Sequence, residues 1–64
     1  MPAPDNKRQA LERERAQLPG QLAAYQAELA ATTPEHTARL ERLRWQIRQV
    51  RKRITEVDRR LAGR

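Results

Sequence analysis

Seven apolar residues, Leu40, Leu43, Ile47, Val50, Ile54, Val57 and Leu61, follow one another at alternating steps of three and four residues without a miss. That period specifies an α-helix with one narrow apolar seam. A lone amphipathic helix takes most of its stability from packing, so the seam requires a second helix against it. The second helix comes from this chain, from another, or from both.

The upstream half supplies a match. Leu11, Leu18, Leu22, Tyr25 and Leu29 share one heptad phase, and Arg8 and Arg15 occupy the two seam positions that lack an apolar side chain. Helix one is expected over 5–31, after an extended lead-in at 1–4 where two prolines restrict the backbone and remove donors. Asp5 suits the N-cap. Pro19-Gly20 interrupts the pattern at a cost of roughly 3 kcal/mol. Because the heptad phase is the same on both sides, a kinked but continuous helix is expected; the alternative is a true break with a separate arm at 5–17.

Thr32-Thr33-Pro34-Glu35 reads as a turn at 32–33 followed by a helix start, with a hydroxyl N-cap, Pro at the first helical position and a carboxylate in the first turn. Helix two, the basic one, is expected over 34–62, ended by Gly63 and the C-terminal pair 63–64. A linker this short makes the helices antiparallel neighbours. The expected fold is therefore all-α, an antiparallel two-helix hairpin of coiled-coil type. Its levels pair Tyr25 with Leu40, Leu22 with Leu43, Leu18 with Ile47 and Leu11 with Ile54, and set Arg15 by Val50 and Arg8 by Val57. The turn end should be the tight end.

Such a seam is thin for 64 residues, and the absence of Cys removes disulfide and thiolate-metal staples. Dimerisation into a four-helix bundle, or a partner protein, is expected to complete it. Ala16, Gly20, Ala23, Ala27 and Ala30 form a second stripe of small residues on helix one. It would let another helix approach closely, or it reflects only the helix preference of Ala.

Charge is unevenly divided. Residues 1–38 carry four basic and five acidic side chains and residues 39–64 ten and three, a balance of −1 against +7 within the net +6. The basic half suits an anionic partner. The excess of Arg over Lys, twelve to two, fits equally the bias of a GC-rich genome. Trp45 lies opposite the seam of helix two, where water is expected, beside a stripe of Arg44, Arg48, Arg51, Lys52 and Arg59. These six are the candidate partner-binding residues. Trp45 has three readings: a platform for a nucleobase, an anchor in a protein interface, or a ring covered by Arg stems of its own helix.

Catalytic chemistry is not expected. His36 is the sole histidine and is expected to fill a seam position near the turn. The chain has no Ser and only two Gly, so neither a serine nucleophile nor a glycine-rich phosphate cradle is available. Carboxylates such as Glu12 and Glu14 lie on different helix faces and should be solvated. No metal, cofactor or small-molecule substrate is expected. With no long apolar run for a membrane span or secretory h-region, the expected location is the cytoplasm. A membrane partner is disfavoured by the narrow, β-branched apolar face.

The function expected first is a small non-catalytic helical interaction protein, an adaptor, inhibitor or assembly factor, packing with itself or a larger protein. The alternative is a nucleic-acid-binding hairpin that uses the basic second helix. Against the alternative, arginines flank the seam on both sides, with Arg42, Arg53 and Arg60 on one flank and Arg44 and Arg51 on the other.

Overall fold

A computed structural model describes residues 5–63, with side chains from Asn6 onward. The lead-in at 1–4, the capping side chain of Asp5 and the terminal Arg64 lie outside the described residues. The fold is all-helical: α1 spans Asp5–Ala31 and α2 spans Thr37–Gly63, packed against each other. The molecule is a slender rod of 55 × 16 × 14 Å.

α1 runs uninterrupted through Pro19. Proline has no N–H to offer the carbonyl of Arg15 four residues back. Pro19 and Gly20 are both exposed, so the ring packs against nothing on α2. No separate arm forms at 5–17.

The reversal is longer than the sequence suggested, and α2 begins three residues later than expected. Thr32 does not cap the second helix. Its hydroxyl donates to the Glu28 carbonyl at 2.7 Å and its N–H to the Leu29 carbonyl at 3.2 Å, so it closes the end of α1. The His36 N–H then bonds the Thr33 carbonyl at 3.1 Å, which makes Pro34 the second residue of a β-turn and not the first of a helix. His36 follows as the residue whose carbonyl accepts the first helical bond, from Leu40 at 3.0 Å. It is exposed and fills no seam position, contrary to expectation. At the far end Gly63 is still helical and lacks the left-handed backbone of a terminating glycine.

The longer reversal shifts the levels. Leu18 clusters with Val50, and Glu14 meets Arg53 across the hairpin. Arg15 reaches Asp58 and Arg8 reaches the Leu61 carbonyl, not Val50 and Val57 as the shorter turn implied. All twelve seam residues are withdrawn from water to some degree. Leu18, Leu43, Ile47, Val50 and Val57 are buried, whereas Leu11, Leu22, Tyr25, Leu29, Leu40, Ile54 and Leu61 are half-buried. A continuous cluster joins Leu18, Val50 and Val57 to Leu11, Leu22, Tyr25, Ile54 and Leu61. Its deepest member is Val57, with no exposed surface. The open end is therefore packed, contrary to the expected tight turn end, because the two seam arginines send their heads to polar partners on α2.

Candidate partner-binding surface

Residues on α2 advance about 100° each, so those flanking the seam divide into two edges that run the length of the rod. One edge carries Arg42, Arg53 and Arg60, the other Arg44, Arg48 and Arg51. Trp45, Lys52 and Arg59, seven residues apart, lie on the outermost line, opposite the seam. What distinguishes the edges is the ion pairing that the hairpin imposes.

On the first edge most positive charge is spent inside the molecule. Arg53 grips Glu14 bidentately, Nε to Oε2 at 2.5 Å and Nη2 to Oε1 at 2.8 Å, and its Nη1 reaches Glu56 at 3.1 Å. Glu56 also takes Arg60 at 3.3 Å, and nearer the turn Arg39 meets Glu28 at 2.9 Å. The paired fork geometry is the stronger form of carboxylate–guanidinium contact. It holds the Glu14 carboxyl below its usual pKa, through the hydrogen bonds from Arg53 first and the neighbouring positive charges after them. The Arg53 guanidinium is correspondingly pushed up, by its hydrogen bonds to Glu14 and Glu56. Glu14 was expected to be solvated; the shift in pairing level brings it opposite Arg53. Between this edge and the turn lies a groove lined by Tyr25, Glu28, Ala38, Arg39, Arg42, Leu43 and Gln46.

On the second edge charge is left over. Arg44, Arg48, Arg51, Lys52 and Arg59 are exposed, and among the described residues none makes an ion pair. Of the acids nearby, Asp58 is engaged by Arg15 at 2.6 Å and Glu41 sits towards the turn. Arg44, Arg48 and Arg51 line an inter-helix groove with Gln26, Leu29 and Ile47. Lys52 and Arg59 stand on the outer face with Gln49, Thr55 and Glu56, beside Arg53. Trp45 is 54 % exposed and is the one large apolar side chain the described surface leaves open.

The hairpin thus brings Arg44, Arg48 and Arg51 into one groove and leaves Trp45, Lys52 and Arg59 on the outer face, while Arg42, equally uncommitted, stays on the first edge. Gln26 and Leu29 of α1 join the groove. Gln26 escaped the sequence reading, and Leu29 was expected only in the seam, because nothing in α1 alone indicates which flank will face the unpaired arginines.

The grooves are shallow and open to water, so the surface offers contact area and charge, with no enclosure for a reacting group. Among the described residues no group of three or more His, Cys, Asp or Glu side chains could hold a metal ion, and no helix is long and apolar enough to cross a membrane. No protein-family model matches the chain, and comparison with curated proteins and with solved structures finds no significant match.

Proposed function

We propose that this chain is a non-catalytic assembly module that works by packing its helices against further helices, first those of a second copy, to complete a four-helix bundle. The observation that carries the reading is the incomplete seam: seven of its twelve side chains are still half exposed after α1 and α2 have paired. Two helices cover a seam from one direction only, and in bundles the rest is covered by another pair.

The charge pattern favours one geometry. Two copies meeting through their unpaired-cation edges would set like charges face to face. The other edge carries Glu14, Glu28 and Glu56 interleaved with Arg39, Arg42, Arg53 and Arg60, and the groove containing Tyr25 and Leu43 runs beside it. An edge of mixed sign is self-complementary under a twofold axis, as a symmetric dimer requires. A larger protein could present helices to the same groove; in that case the chain alone stays monomeric and acts as an adaptor.

Sedimentation equilibrium across a wide concentration range tests the reading, with helicity followed in parallel by circular dichroism. The expected result is a mass rising towards twice the 7.5 kDa of the chain, with helical signal and thermal midpoint rising together as copies associate. A chain that is fully helical and monomeric at every concentration contradicts self-assembly.

A further inference from the structure

We propose that the unpaired-cation edge of the hairpin docks a single-stranded nucleic acid, the arginines holding its phosphodiester backbone and Trp45 stacking on one of its bases. This goes beyond the assembly reading and rests on a different observation, the division of ion pairs between the two edges.

The fold leaves part of the positive charge of α2 unspent. Of the cations on α2 outside the terminus, Arg39, Arg53 and Arg60 are neutralised by Glu28, Glu14 and Glu56, while Arg42 on their edge is exposed and makes no ion pair. Arg44, Arg48, Arg51, Lys52 and Arg59 are unpaired as well; the first three line one inter-helix groove, and Lys52 and Arg59 stand on the outer face next to it. At 1.5 Å per residue the row from Arg44 to Arg59 extends about 22 Å along a straight axis. Four of the five are arginines, whose planar fork matches a phosphate bidentately and which are more weakly hydrated than an ammonium. Arg44, Arg48 and Arg51 line their groove with no carboxylate among them, a run of fixed positive charge that complements a line of fixed negative charge.

Shape and the indole select the strand type. The hairpin is 16 × 14 Å in section, wider than the roughly 12 Å major groove of a duplex, and its two helices lie side by side, so neither projects as a reading helix. Single-strand sites combine a basic track for the backbone with an aromatic platform for the bases. Here Arg44, Arg48 and Arg51 line a groove, and the open face of Trp45 stands one helical turn from Arg48. A lipid surface fits less well, because an isolated Trp beside five cations gives little apolar area to insert.

The test titrates the full chain with a mixed-sequence single-stranded oligodeoxynucleotide of about twenty nucleotides, and separately with its duplex. Trp45 is the sole tryptophan, so its fluorescence reports stacking directly. Expected is saturable binding with quenched fluorescence, weakening about a hundredfold between roughly 50 and 200 mM salt, as about five released counterions dictate. Arg48→Ala should flatten the salt slope by about 0.7, whereas Arg42→Ala, which removes one charge from the other edge, should leave it unchanged. Trp45→Ala should abolish the optical signal and weaken binding about tenfold by anisotropy of a labelled strand. All three positions are exposed on a helix, and circular dichroism checks that each variant keeps its helicity. Absence of binding at low salt, equal losses from Arg48→Ala and Arg42→Ala, or duplex binding as tight as single-strand binding with unchanged fluorescence would each overturn the proposal. None of these results bears on the sedimentation test, so the two readings fail separately.

Discussion

Val57 and Leu40 occupy equivalent seam positions by sequence yet differ in what the hairpin does with them. Val57 is sealed from water and Leu40 is half open. Truncating Val57 to Ala removes two buried methyl groups and leaves a void, a loss of about 2 kcal/mol. Leu40→Ala deletes more carbon but should cost less per atom, because water already reaches it. Urea unfolding of both variants at one fixed protein concentration checks the order. Glu14 carries the other residue-scale prediction. Its folded pKa is depressed, so its contribution is complete above the ordinary glutamate range and disappears as pH falls through the folded value. Helical signal should therefore decline on acidification below about pH 4.5, with no step attributable to this pair near neutrality. Glu14→Gln should remove that part of the acid transition while leaving the other carboxylates to titrate.

At the scale of the element, Pro19 is the locus of stored cost. It interrupts α1 on the exposed side while the seam continues past it, and an Ala there restores an N–H to the Arg15 carbonyl. Pro19→Ala should raise the thermal midpoint, with a gain of up to about 3 kcal/mol. An unchanged or lowered midpoint would contradict a cost at Pro19. The two helices themselves were legible, because three-and-four spacing has no rival reading over such lengths. The reversal between them was not. A proline with φ near −65° suits both the first turn of a helix and the second position of a β-turn. Thr32 caps either a following helix or, by bonding back to Glu28, a preceding one. Local chemistry is the same in both cases, and only the closure of the hairpin decides.

For the molecule as a whole, that small displacement governs which charges are free. Sliding α1 against α2 brings Glu14 to Arg53 and Arg15 to Asp58, so one edge is largely ion-paired and the other keeps its positive charge. Composition gave the sign and the half of the chain that carries it, and periodicity placed Trp45 opposite the seam. Which arginines remain unpaired depends on contacts between residues 39 and 43 positions apart, a quantity no local pattern encodes. The seam residues were legible for the converse reason, since burial follows from the heptad wherever the partner helix slides.

The chain doubles back so that the start of α1 and the end of α2 lie side by side. With no native cysteine, spin labels can be placed specifically at Ala10→Cys and Ala62→Cys, both exposed in the hairpin, and diluted with unlabelled protein to isolate the separation within one chain. The account predicts a short distance by pulsed electron resonance, comparable to the 16 Å width of the rod plus the label arms. A separation near 78 Å, which about 1.5 Å per residue gives for one straight helix, would contradict it.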